Sequence, residues 1–418
     1  MTDSLSFIKN LEHECSDFKK DLSCLELDQQ MEILKLACTN VQPEKEIREK
    51  LANAVKNKKT LTVKFGIDPL STEVQIDHIP PLVLSGKLQR MGHKIVLLIG
   101  DFTALIGDPS DISRSNKNLN RKNIEKNLKQ LKKQLESFLD FTKANIVYNS
   151  AWLNDLKLSG LVELMKDIDI SISFARDDFK EKLESKKGLS YAEIIYPVIV
   201  GIDSLELSPD IEIGRNDQFY NFEMCRHMMK VKGLAPESIM TTTALPQGDS
   251  LKINDKPTNI FKHISKLDKE SVLLWYRLLT EITPQSMQKL EQVLNEGMLD
   301  LHLAREILGK VVVCRIYGKE TSDASYVEYV KELVKSTETQ DIRMISGSVM
   351  GIGEFIAAST ELTLTEAQRI ISSGGARALS CDGECLTYIM DSEADISSIH
   401  FDKFYIIMSD KLVLRINK

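Results

Sequence analysis

The 418-residue chain has no apolar run near the roughly 18 residues that cross a bilayer, so no membrane-spanning helix is expected. Its first residues, M-T-D-S-L-S-F-I-K-N, lack a basic start followed by an apolar core, which argues against a secretory leader. Cysteine is sparse and scattered, with seven at 15, 24, 38, 225, 314, 381 and 385. Cys381 and Cys385 are close, but no second pair completes a zinc site, so no metal centre is expected. Such usage suits structural thiols in a reducing, cytoplasmic setting. A basic excess is missing too: the net charge is −7, against a general nucleic-acid binder though not against local basic patches. Repeats and low-complexity tracts are absent.

What is present is ordinary for a globular protein: 42% hydrophobic and 28% charged residues, in a length that suggests two or three domains. Residues 1–58 form an N-terminal helical segment, with P-E-K-E-I-R-E-K-L-A-N-A-V its clearest helix and Pro43 near the first turn. Leu61–Ile67 reads as a strand, Ile79–Arg90 as a helix and Lys94–Gly100 as a buried strand. A long charged amphipathic helix is expected over Asn118–Phe141, a strand over Ala144–Tyr148 and a helix over Ala151–Met165. Residues 189–233 read as helix, strand (D-I-E-I-G) and helix, and Ser238–Ala244 closes the sheet region. This alternation implies an α/β fold, a Rossmann-like parallel sheet with crossover helices, over 59–250. Residues 251–345 are helical, and 346–418 form a small α+β module.

Several signatures follow one another in order. They are G-I-D-P at Gly66–Pro69, G-D-F-T…I-G-D-P-S at Gly100–Ser110, F-A-R-D-D-F at 174–179, Y-P…D at Tyr196–Asp203 and N-D-Q at Asn216–Gln218. L-L-T-E-I-T at 278–283, L-A-R-E-I at 303–307 and T-L-T-E-A-Q-R-I-I-S-S-G-G-A-R at 363–377 complete the series. Together they resemble the bacterial tyrosyl-tRNA synthetases, class I enzymes, over most of the chain. The resemblance implies a ribosomal-protein-type RNA-binding module at the C-terminus, ATP and Mg as cofactors if the chain is active and none otherwise, and a homodimer that binds an amino-acid-like small molecule and tRNA.

It also implies site residues. Asp203 matches the aspartate that meets the substrate phenol, while Lys64 stands where the family has a tyrosine. Asp108 and Tyr196 match two members of the α-amino clamp, and Val200 replaces the third, a glutamine. Gln218 is kept for the carboxyl end and Asp217 for the ribose, with Gly66 and Asp68 in the nucleotide-binding turn. Lys64 either pairs with Asp203 across the phenol site or swings out to solvent; a buried pair must be well matched to persist.

The nucleotide signatures depart further. The family's H-I-G-H, at a helix start that favours phosphate, reads Gln75-Ile76-Asp77-His78, and Leu70 replaces a phosphate-binding threonine. A carboxylate about 4 Å from a phosphate costs roughly 4 kcal/mol per charge pair at an effective dielectric near 20; alternatively Asp77 serves as a helix N-cap. The family's glycine pair is Gly214-Arg215, where the arginine either fills the ribose and adenine space or meets a different anion. After Leu245-Pro246 too few residues remain for the K-M-S-K-S loop, whose lysines stabilise developing charge; Lys252 and Lys256 are candidate replacements at a different spacing, and Lys252 joins Gln75, Asp77 and His78 as the candidate catalytic positions. Residues 346–418 hold six Lys/Arg against ten Asp/Glu, a net −4 that weakens tRNA binding, although Arg369 and Arg377 remain candidate RNA contacts. Three readings stand: a relative impaired in tyrosine adenylation and repurposed for binding or a different reaction, a divergent active tyrosine–tRNA ligase, and a non-catalytic regulatory or structural dimer.

Overall fold

The computed structural model describes residues 2–69, 73–107, 121–171, 184, 190–248, 251–337, 339–343, 351–383, 385–399, 403–409 and 412–417. It divides into two compact units, Lys19–Asn254 and Met1–Phe18 together with Asp255–Lys418.

The first unit is built on six strands: β1 (Asn40–Gln42), β2 (Thr62–Ile67), β3 (Lys94–Ile99), β4 (Asn145–Tyr148), β5 (Ile211–Arg215) and β6 (Ser238–Thr242). Their order is β1-β6-β5-β2-β3-β4, all neighbours parallel except the short antiparallel edge β1. Ile95 to Ile99 are all buried, as a strand covered on both faces requires. The Ile79–Arg90 helix starts on Pro80 and Pro81 and is buried from Ile79 through Leu88, so it shows little amphipathic contrast. The chain runs outward from β2 through β3 to β4, then returns to β5 on the other side. This reversal leaves a crevice at the carboxyl ends of β2 and β5, where ligands of open parallel sheets bind.

Two local expectations change. The helix expected over Ala151–Met165 is two, Ser150–Leu153 and Leu158–Met165, because Asn154-Asp155 favours a turn and Lys157 is extended. The charged helix ends at Leu135, short of Phe141, in successive turns that bring Leu135, Phe138 and Leu139 inside. The three-residue β1 was missed, being too short to show a period.

The second unit contains helices Pro257–Ile264, Lys269–Leu279, Pro284–Asn295, Leu301–Tyr317 and Lys319–Ser336, with Thr2–Cys15 among them. Its sheet comprises β7 (Thr339–Arg343), β8 (Ala376–Ser380), β9 (Leu386–Ile389), β10 (Lys403–Met408) and β11 (Leu412–Asn417), in the order β7-β11-β10-β8-β9. Helices Ile352–Ser359 and Leu364–Ser372 supply Ile356 and Ile371 to a core shared with Phe404 and Leu414. The expected α+β ending is therefore present. No helix among the described residues is long and apolar enough to cross a membrane.

Candidate functional site

A cavity of about 590 Å³ opens at the predicted crevice. Gly66 and Asp68 reach it from the end of β2, Gly214 and Arg215 from the end of β5. The Tyr191–Leu207 helix adds Tyr196, Val200 and Asp203, whose spacing places them on one helical face. Asp68 accepts hydrogen bonds from Thr103 Oγ1 (2.8 Å) and the Tyr196 hydroxyl (3.2 Å). Gly100 permits this arrangement, since a Cβ there would lie 1.9 Å from Asp68 Oδ1. At Gly214 a Cβ would lie 2.4 Å from the Phe222 ring, so its missing side chain serves packing beside the cavity.

The buried end holds a charge cluster. Lys64 is fully buried, 2.7 Å from Glu212 and 3.9 Å from Glu237, and donates to Ser204. Ser204 in turn donates to Glu237 (3.1 Å). Both sequence alternatives for Lys64 are corrected: it neither reaches solvent nor pairs with Asp203. Its partner is set by register, because Lys64 lies opposite Glu212 on neighbouring parallel strands. Burial works against the Lys64 charge, but Glu212 and Glu237 outweigh it and raise its pKa. One cation facing two carboxylates leaves a surplus negative charge, and burial followed by Glu237 pushes Glu212 up. Glu212, Glu237 and Cys225 could together ligate an ion, yet the Lys64 ammonium already supplies the cation there, and burial pushes the Cys225 thiol up.

Asp203 has separate partners. Its oxygens accept from Trp152 Nε1 (2.8 Å) and Asn149 Nδ2 (3.3 Å). Burial pushes its pKa up to about 6, against the opposing pull of Lys64 and these two donors.

At the mouth, Asp77 does not act as an N-cap: it sits in the short turn Ile76–His78, with no side-chain cap bond at either helix start. Arg215 instead donates to Asp77 Oδ2 (3.0 Å) and reaches Asp217 (2.5 Å). The two positions where the resemblance implies glycine are thus bridged by an ion pair. His78 Nε2 is 3.8 Å from Asp77 Oδ1. Ile76 N donates to Leu251 O (2.8 Å) and Ile253 N to Val74 O (2.9 Å), so backbone pairing ties the segment after Gly248 to the helix start. Gln75 bridges Lys252 there, and the Lys252 ammonium pairs with Glu73.

The Gln218 side chain lines the cavity and accepts from Asn221 (2.9 Å). Asp108 and Leu70 lie outside the described residues. In the second unit Arg369 is exposed, but the expectation of a solvent-facing Arg377 is corrected. Arg377 is 1% exposed and pairs with Glu306, which also accepts from Tyr326 (2.6 Å) and Tyr388 (3.3 Å). Its place on β8 turns it inward, away from any phosphate.

Sequence reasoning missed Glu212, Glu237, Asn149 and Trp152. A signal existed for the first: V-K-F and I-E-I each put one charge into an otherwise apolar parallel strand, where a lone charge needs a cross-strand partner. Nothing in the sequence points Asn149 or Trp152 at Asp203.

The sequence profile of "tRNA synthetases class I (W and Y)" matches residues 56–333. The chain is 28% identical over 368 residues to the tyrosine–tRNA ligase of Carboxydothermus hydrogenoformans, covering 84% of this chain and 90% of that one. With that of Francisella tularensis the figures are 29% over 370 residues, 85% and 91%. Among solved structures, a C-terminally truncated mitochondrial tyrosyl-tRNA synthetase of Aspergillus nidulans aligns with a TM-score of 0.60 at 17% identity, covering 79% of this chain and 98% of that one. A tryptophanyl-tRNA synthetase of Plasmodium falciparum gives 0.53 at 16%, covering 73% and 92%. The structural likeness supports the fold, and the profile, which spans more than half of the sequence, assigns the family: the chain belongs to the class I tRNA synthetases of the tryptophan and tyrosine type.

Proposed function

We propose that the cavity is an amino-acid pocket in a synthetase-like protein that no longer carries out ATP-dependent adenylation of tyrosine, and that the chain binds, or acts differently on, an amino acid, an aminoacyl-tRNA or a related ligand. The observation that carries this reading is the Asp77–Arg215 pair at the mouth. The two positions at which the family resemblance implies glycine, for close approach of nucleotide, both hold charged side chains that meet each other. ATP and Mg do not fit this residue set. Asp77 brings a carboxylate to the helix start, Arg215 fills space beside Asp217, and Lys252 is held by Glu73.

Relatives named tyrosine–tRNA ligase support a second reading, an enzyme that still charges tRNA with tyrosine. It is favoured by Asp68, His78, Asp203 and Gln218, which all line the cavity. Tyrosine-dependent ATP–pyrophosphate exchange separates the two: background exchange is expected, and robust exchange overturns the first reading in favour of the second.

Homodimerisation and weakened tRNA binding belong to the same proposal. Leu158 (76% exposed), Ile170 (56%) and Tyr191 (86%) offer apolar surface to a second copy, while the inward Arg377 removes one cation from RNA. Native mass spectrometry should give twice the chain mass of 47.3 kDa; a monomer at micromolar concentration sinks the dimer.

A further inference from the structure

Behind the cavity wall one cation faces two carboxylates. Lys64 lies 2.7 Å from Glu212 Oε1 and 3.9 Å from Glu237 Oε2, and Ser204 donates to Glu237 Oε1 (3.1 Å). The other oxygen of Glu212, Oε2, and the Oε2 of Glu237 are both sealed from solvent, and neither has a hydrogen-bond donor among the described residues. The two carboxyl groups and the Cys225 thiol lie within 4.8 Å of one another. Two buried acceptors side by side without donors are costly twice over, through lost hydrogen bonds and through repulsion.

The charged groups around the cluster are committed elsewhere. Lys50 gives its three hydrogens to Asp210 O, Pro236 O and Ser238 Oγ (2.8, 2.8 and 3.1 Å). Arg226 donates to the Glu237 backbone carbonyl and to Glu46 (3.2 Å). Asp203, one residue before Ser204, is met by Trp152 and Asn149. Cys225 offers a thiol, a weak donor. A proton between the two Oε2 atoms resolves both costs. It turns one carboxyl into a donor and the other into its acceptor, and it brings the sum of one ammonium and two carboxylates from −1 to zero.

We propose that Glu212 and Glu237 hold one proton in common, and that the neutral Lys64–Glu212–Glu237 cluster is a pH-sensitive lock between β2, β5 and the start of β6. The lock does not depend on which ligand the cavity takes. Burial first, then the charge of Glu237 and the hydrogen bond between the two side chains, pushes the Glu212 carboxyl well above the usual range. The proton belongs to the pair rather than to either residue. In the unfolded chain both carboxyls ionise near their ordinary pKa of about 4.3, whereas the folded pair keeps its proton. The contribution of the pair to stability is therefore complete below about pH 4. Above that the unfolding equilibrium grows by up to about tenfold per pH unit until the folded pair ionises.

The test is infrared spectroscopy of the full-length protein at pH 8, together with urea unfolding at pH 7 and pH 8. The unmodified protein is expected to show the carbonyl stretch of one protonated carboxylic acid. Glu212→Gln and Glu237→Gln should each abolish that band, and Asp203→Asn should leave it in place. From pH 7 to pH 8 the unfolding equilibrium of the unmodified protein should grow about tenfold more than that of Glu237→Gln. Absence of the band from the unmodified protein overturns the inference, whether or not the variants fold. A band that persists in both glutamine variants overturns it too. So does one equivalent of a divalent metal in the purified protein that both glutamine variants lose, because an ion rather than a proton would then neutralise the cluster.

Discussion

Two ion pairs stand at opposite ends of one cavity and differ in almost every physical respect. Lys64–Glu212 is sealed, with side chains 1% and 3% exposed, and it is fixed by strand register. Arg215–Asp77 joins a 27% exposed arginine to a 7% exposed aspartate across 138 residues of sequence. In a water-poor interior, removing one partner leaves a stranded charge. Near solvent, water and salt take over much of what the partner supplied. The same chemistry therefore does different work: the sealed pair shapes the buried end of the cavity, while the mouth pair closes off space at little cost in stability.

The comparison breaks most visibly at Lys64. Lys64→Met strands Glu212 beside Glu237 and should cost about 3–5 kcal/mol in urea unfolding; an unchanged midpoint would mean that the cluster is not held by its cation. Asp203→Asn sharpens the argument through pH. The fold raises the Asp203 pKa from 3.8 to about 6, so its contribution to stability is complete below about pH 4 and is lost as pH rises through 6. Relative to the parent protein, the asparagine variant should gain about 3 kcal/mol between pH 4 and pH 7.5. A pH-independent difference removes the premise. The smallest effect is expected at the mouth. Arg215→Ala should cost about 1 kcal/mol or less, shrinking further at high salt. A loss as large as that of Lys64→Met would erase the distinction between the two ends.

Much of the architecture was legible because it rests on local pattern. The Ile79–Arg90 helix is found where its prolines and apolar run place it, and the apolar run at Lys94–Ile99 forms the buried strand. The ordered signatures also pointed to the family that the profile match then assigned. The charged residues were less legible. Lys64 and Asp77 stood out as misfits, yet the partners expected of them were wrong: Asp203 or water for Lys64, a helix cap for Asp77. Arg377 read as an exposed contact because its neighbours resemble an RNA-binding turn, whereas β8 turns it toward Glu306.

The sequence by itself determined the periodicities, the turn chemistry and the unusual residue types at the cavity, since each depends on neighbours within a few positions. The tertiary structure alone decided which charge meets which. Register set Lys64 against Glu212, the Tyr191–Leu207 helix carried Asp203 to Trp152 and Asn149, and the end of β5 brought Arg215 to Asp77. Electrostatic energy depends on distance and on the loss of water, and both are properties of the folded chain rather than of the order of its residues.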